Sequence, residues 1–128
     1  MAHDLANYLN EMVLDNSYPC GNGVALFMEN EPQDCEIKAL LTRYLRRYYE
    51  TVLSKEKECE SWDLYIEKAL PQFELQVRKC RLLSSFYWAV WSFKILSKDQ
   101  VCNDSVFNYD YANTHIKLFS KMRKEWSL

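Results

Sequence analysis

Apolar residues along this chain recur at intervals of three and four rather than two, and the stripes they form predict a succession of helices. Near the start, Leu5, Tyr8, Leu9, Met12 and Val13 fall on one face, and Asp4 stands where an N-cap or early helical residue belongs. A short first helix follows from that spacing. The clearest amphipathic segment is the next one. Ile37, Leu40, Leu41, Tyr44, Leu45, Tyr48, Tyr49, Val52 and Leu53 line one side, while Lys38, Arg43, Arg46, Arg47 and Glu50 occupy the other. A third run, "SWDLYIEKAL", opens at Ser61, a suitable cap, and meets Pro71. Proline lacks a backbone donor and clashes with the preceding turn, so a break and a bend are expected there.

Beyond Pro71 the stripe continues through Phe73, Val77, Cys80, Ser84, Trp88, Trp91 and Ile95. From Phe86 onward apolar residues occupy nearly every side, and that half of the helix is expected to be buried all round. The last helix is expected in "ANTHIKLFSKMRKEW", with Ile116, Phe119 and Met122 at helical spacing and basic residues late, where they complement the helix dipole. Two stretches interrupt the pattern. "SYPCGNGVALFMENEPQ" holds both glycines together with Pro19 and Pro32, and reads as a loop between the first two helices. "SKDQVCNDS" is polar and turn-like, and the aromatic "VFNYDY" follows it before the last helix. No segment alternates with period two and no repeat is present, so the fold class is all-α, one helical domain over residues 1–128.

Charge and composition narrow the function by exclusion. Sixteen basic and eighteen acidic side chains leave a net charge of −2, which gives no global field to draw nucleic acid or an anionic lipid surface. The cluster Arg43, Arg46 and Arg47 therefore reads as a solvated helix face rather than a nucleic-acid site. Five cysteines, odd in number and widely spaced, form no CxxC pair and read as reduced thiols. With no signal-like start and no apolar run near the roughly 20 residues that span a bilayer, the expectation is a cytoplasmic chain without a membrane span. His3 and His115 stand alone with no metal-ligand set around them.

Candidate chemistry lies in the aromatic residues. "SSFYWAVWSFK", Ser84 to Lys94, places Phe86, Tyr87, Trp88, Trp91 and Phe93 within three turns of helix. Trp88 and Trp91 are three apart and project from one face, and Phe107, Tyr109 and Tyr111 arrive just before the last helix. Several ring faces around one space bind an ammonium at about 0.5 to 2 kcal/mol per ring when desolvated. On spacing alone the rings read first as core.

The ordered motifs go further. "SSFYWAVWS", then "FNYDYA", then a basic amphipathic helix resembles the C-terminal end of the choline/ethanolamine kinases, where the pattern is close to SHFxWGLWS, an aromatic stretch and YA. "HDLANYLNE" is similar to that family's FDxANHFxE, with Asp4, Asn7 and Glu11 at matching spacing. The resemblance implies the helical C-terminal subdomain of a protein-kinase-like fold. It places Trp88, Trp91 and Tyr111, together with Phe107 and Tyr109, in an aromatic cage for the head group of choline or ethanolamine. It places Glu11 as an acid at the pocket rim, and Asp4 and Asn7 as braces of the catalytic loop. Asp4, without that loop, would be a buried carboxylate lacking its donors. Two departures stand out: the linker from Trp91 to Tyr111 is longer than the family's usual spacing, and Asn16 occupies a position where choline kinases commonly carry tyrosine.

The phosphoryl-transfer machinery is not legible in these residues. "GNG" is too short for a phosphate loop, and His3 with Asp4 and Asn7 fails the spacing of a kinase catalytic loop. The resemblance thus assigns ATP and Mg2+ to the intact enzyme, with an N-terminal catalytic half as the partner of this chain, and no activity to the chain alone. The competing expectation is a non-catalytic helical module that binds an ammonium ligand or another protein, a second copy of the chain included.

Overall fold

The computed structural model describes residues 2–16, 24–55, 60–96 and 105–127, with the side chains of 105–108 left aside. Its elements are α1 (Ala2–Glu11), β1 (Leu14–Asp15), β2 (Ala25–Leu26), α2 (Asp34–Thr51), α3 (Trp62–Leu96) and α4 (Ser105–Trp126), with short 3-10 turns at Met28–Asn30 and Leu53–Lys55. The architecture is helical, as the period predicts. α3 is its axis and packs against α1, α2 and α4 in turn.

Two features depart from the pattern-based reading. β1 and β2 pair antiparallel, Leu14 with Leu26 and Asp15 with Ala25, within the stretch expected to be loop alone. Two residues per strand are too few to show an alternation. α3 also runs without interruption through Pro71. A proline there removes the hydrogen bond to the Glu67 carbonyl, and packing on both sides of it, through Leu70 and Phe73, keeps the helix continuous.

Local chemistry fixes the ends. The Gln33 backbone N–H donates to Glu36 Oε2 at 2.8 Å, closing the first turn of α2, and Asp34 and Glu36 place negative charge at its N-terminus. At the start of α3 the Tyr65 N–H reaches back to the Ser61 carbonyl at 3.0 Å, consistent with a cap at Ser61. Arg123 and Lys124 close α4.

The apolar interior has two parts. The first joins α1, α2 and the N-terminal half of α3 through Ala6, Leu9, Leu41, Leu45, Phe73 and Val77. The second joins β1, α3 and the C-terminal half of α4 through Val13, Leu14, Leu118 and Met122, with Leu26, Leu82 and Trp126 packed against them. Truncating Leu41 or Leu118 would cost about 2–5 kcal/mol, the usual range for a buried leucine.

Between these clusters lies a buried polar joint. Arg81, 1% exposed, donates from Nε to Asn10 Oδ1 at 2.9 Å and through both terminal nitrogens to the Glu31 carboxylate at 2.6 and 2.9 Å. Asn10 in turn donates to the Arg81 carbonyl and to Ser85 Oγ, each at 3.1 Å. The guanidinium also lies 5.4 Å from the Trp126 ring centroid. This joint explains why the buried face of α1 is Ala6, Leu9 and Asn10, with Val13 buried just beyond its end, while Tyr8 and Met12, expected inside, are exposed. A buried asparagine takes a core position because three hydrogen bonds satisfy it there.

The C-terminal half of α3 reverses its expected burial. Its buried face consists of Ser84, Ser85, Ala89 and Ser92, with Ser84 and Ser85 hydrogen-bonded to Asn7 and Asn10 of α1, whereas Phe86 is 53% and Tyr87 57% exposed, and Val90, Trp91 and Phe93 are exposed as well. Small side chains let helices approach closely, and the exposed rings are covered in part by α4, where Phe86 meets Phe119 at 5.9 Å and Phe93 meets Tyr109 at 6.4 Å. α4 turns similarly. Ala112, His115, Leu118 and Met122 face inward, and Ile116, expected in the stripe, is exposed.

Candidate functional site

The antiparallel contact of α3 and α4 creates a row of rings. Trp88 and Trp91 meet edge to face with centroids 5.5 Å apart, and Trp88 meets Tyr111 at 6.5 Å, again nearly perpendicular. Tyr111 is followed one helical turn later by His115, whose imidazole centroid lies 4.5 Å from the tyrosine ring. Tyr87 extends the row from Trp88 at 5.5 Å. Tyr111 and Tyr109 sit on α4 itself rather than on a preceding loop, because α4 begins at Ser105. Tyr109 is exposed and pairs with Phe93 at 6.4 Å, one step aside from the main row. The side chain of Phe107 lies outside the described residues.

Glu11 reaches this region from the end of α1. Its charge contributes to holding the Tyr111 phenol in its neutral form, second to burial, and the phenol is pushed up to about 12. Glu11 itself is raised above the ordinary carboxylate range by partial burial, offset in part by Asn16, whose Nδ2 donates to Oε2 at 3.3 Å. Glu11 is thus near enough for its charge to act on Tyr111, the one ring of the α3–α4 row for which such an interaction is seen. A cation placed beside the rings would meet the electron-rich faces and the carboxylate together.

The remaining residues sort as follows. Asn7 accepts a hydrogen bond from Ser84 Oγ, so it braces α1 against α3. Asp4 stands exposed on the first turn of α1, and the penalty expected for a buried carboxylate does not arise there. Trp91, 41% exposed, leaves the row open on one side, a wall rather than a closed cage. A cleft of about 430 Å3 between α1 and the segment around Glu29–Leu40 contains none of the ring residues. Among the described residues no group of three or more His, Cys, Asp or Glu side chains comes together, so Mg2+ has no ligand set in that part of the chain. Cys35 and Cys80 are free thiols; the other three cysteines fall outside the described residues.

Sequence reasoning passed over His115. It is 1% exposed, neither ring nitrogen has a hydrogen-bond partner among the described residues, and burial lowers it to about 4, which favours the neutral imidazole. Ser92 Oγ, on the facing side of α3, is likewise buried without a partner. The available signal was the four-residue interval from Tyr111, which stacks the two rings on one helix face.

Compared with known proteins, residues 1–120 match the family model of the choline/ethanolamine kinases. Neither a curated protein nor a solved structure gives a significant match.

Proposed function

The chain belongs to the choline/ethanolamine kinase family, and from that premise we propose that it forms the C-terminal, head-group-binding portion of such an enzyme. In intact form the enzyme transfers the γ-phosphoryl group of ATP to the hydroxyl of choline or ethanolamine. The observation that carries this reading is the meeting of Glu11 with the Trp91–Trp88–Tyr111 row. These are the residues that the family motifs assign to an ammonium cage, and they come from opposite ends of the chain. Each ring adds about 0.5–2 kcal/mol to the binding of a desolvated cation, and the carboxylate adds charge complementarity.

In this proposal the chain's residues bind and orient the head group, and the phosphate cradle, metal ligands and base that phosphoryl transfer requires come from elsewhere in the enzyme. On this proposal ATP and Mg2+ bind to an N-terminal catalytic portion, which also closes the open side of the aromatic wall. The 128 residues alone are then inactive as a kinase. A cytoplasmic location fits the chemistry, and no described helix is long and apolar enough to cross a membrane.

The test is a tryptophan-fluorescence titration of the chain with choline and with ethanolamine, alongside Trp88→Ala and Trp91→Ala. Saturable quenching that both substitutions weaken supports the reading. A folded chain that responds to neither ligand overturns it for these 128 residues.

A second reading has one observation in its favour. The exposed run Leu83, Phe86, Tyr87, Val90 and Phe93 is a helical stripe of the kind that binds another protein surface. A non-catalytic interaction module would use this stripe and leave the cage empty. Sedimentation of the chain separates the two, since a module that self-associates shows a concentration-dependent mass that Phe86→Glu abolishes.

A further inference from the structure

The cleft of about 430 Å3 between α1 and the Glu29–Leu40 segment takes no part in the aromatic row, and its size falls within the roughly 300–1,000 Å3 of small-molecule sites. Its apolar lining is Leu9, Met12, Ile37 and Leu40, with the Tyr8 ring beside them. Tyr8 is 56% and Met12 39% exposed, although both belong to the apolar stripe of α1. The cleft therefore holds apolar surface that the fold itself leaves open.

Charge in the cleft is one-sided. Glu29, Glu31 and Glu36 line it, and no lysine, arginine or histidine does. Glu31 is neutralised from behind by its two contacts with the Arg81 guanidinium, which also hold it in place. Glu36 is fixed differently: its Oε2 accepts from the Gln33 N–H at 2.8 Å, a bond that orients the carboxylate and leaves its charge uncompensated. Neither Glu29 nor Glu36 forms an ion pair among the described residues. A bare divalent cation does not suit this lining, since the described residues gather no set of three or more metal-ligating side chains and half of the cleft wall offers no oxygen. The matching ligand carries more than one positive charge on an apolar stem.

We propose that this cleft binds an aliphatic polyamine, its methylene chain against Leu9, Met12, Ile37 and Leu40 and its ammonium groups drawn to Glu29, Glu36 and the face of Tyr8. The methylenes gain from leaving water, as the stem of a buried lysine does. The ammonium groups gain charge-assisted hydrogen bonds to the carboxylates and a cation–π contact with the tyrosine. Because Glu31 and Glu36 are already held in place, little ordering is required of the site when the ligand arrives. The proposal does not depend on the aromatic row, and a polyamine here would stabilise the folded chain by mass action whether or not a head group is bound.

The experiment is calorimetric titration of the full chain with spermidine, with butylamine and with Mg2+, on the wild type, Glu29→Gln, Met12→Lys and Trp88→Ala, each checked for folding by circular dichroism. Spermidine is expected to bind the wild type more tightly than butylamine, which has one charge, and than Mg2+, which has no apolar stem. Glu29→Gln should weaken spermidine about tenfold, as for loss of one charge-assisted hydrogen bond. Met12→Lys, which sets a cation in the cleft, should abolish binding, and Trp88→Ala should leave it unchanged. With the methionine methyls labelled with carbon-13, the Met12 resonance shifts on adding spermidine, while that of Met122, 2% exposed and in the interior beside α4, stays in place. Mg2+ competing as well as spermidine would reduce the cleft to diffuse charge attraction and overturn the proposal. So would an affinity untouched by Glu29→Gln and Met12→Lys, a loss confined to Trp88→Ala, which would move the polyamine to the aromatic row, or a wild type that binds no spermidine. None of these results bears on head-group binding, which the choline and ethanolamine titrations judge separately.

Discussion

The two ends of α3 lie in opposite kinds of surroundings. Around its N-terminal half, Phe73 and Val77 pack with Leu41 and Leu45 of α2 and Leu9 of α1, an interior filled by aliphatic and aromatic side chains. Around its C-terminal half the buried side is Ser84, Ser85, Ala89 and Ser92, and the large rings lie exposed or half-buried along α4. The first arrangement maximises apolar burial. The second buries less apolar surface and leaves rings and one carboxylate at a surface, with the His115 imidazole enclosed beneath Tyr111. Apolar packing and the proposed binding surface thus occupy different halves of a single helix, with the Arg81 joint between them.

The joint gives the sharpest way to break that division. Glu31→Ala leaves the Arg81 guanidinium buried without its carboxylate and is expected to destabilise the chain by about 3–5 kcal/mol, read by urea unfolding. Within the apolar half, Leu41→Ala should cost about 2–5 kcal/mol, whereas the exposed Trp91→Ala should change unfolding little while weakening ligand-induced quenching. Equal stability losses at Leu41 and Trp91 would erase the contrast.

Acid offers a third probe, directed at the α3–α4 side. His115 is lowered to about 4 when folded and lies near 6.5 when unfolded, so the unfolded chain takes up the proton first. The stability it contributes is present above the unfolded value and is lost as pH falls from about 6.5 toward 4, by about 3 kcal/mol in all. His115→Phe should flatten that slope in unfolding measured across the window. The smallest effect lies at the alkaline end. Tyr111 is raised to about 12, so its contribution is present below the unfolded value near 10 and declines as pH rises toward 12. Ultraviolet titration should show one late phenolate that disappears in Tyr111→Phe.

The same division decided what the sequence made legible. Helix α2 could be read almost residue by residue, because its apolar stripe and its burial coincide at Leu41 and Leu45. α1 was found with its face rotated, since the pattern favours Tyr8 and Met12 over Asn10. Only the partners Arg81 and Ser85, more than seventy residues away, make an asparagine a core residue. The burial of α3 beyond Phe86 was misjudged for a related reason. An all-round apolar segment normally implies enclosure, and nothing local reveals that serines form the packed face. The proposed site rests on residues whose order was legible before their surroundings were. Trp88, Trp91, Tyr111 and Glu11 carry a motif that can be read from residue type and order, and the structure brings them together. His115 carries no such motif, and its burial between helices cannot be inferred from a solitary histidine in a polar stretch.

Pro71 sits in the interior of α3, where one rung of the helical hydrogen-bond ladder is missing. A rod of 35 residues, roughly 52 Å long at 1.5 Å per residue, transmits a push along its axis only as far as its weakest rung. Thermal opening should therefore begin at the Glu67 carbonyl and part the rod there, so that the Trp62 end exchanges its amide hydrogens as one unit and the Trp91 end as another. The proline is a fuse placed upstream of the Arg81 joint: α2 and the head of α3 can loosen while the ring-bearing segment and α4 remain docked.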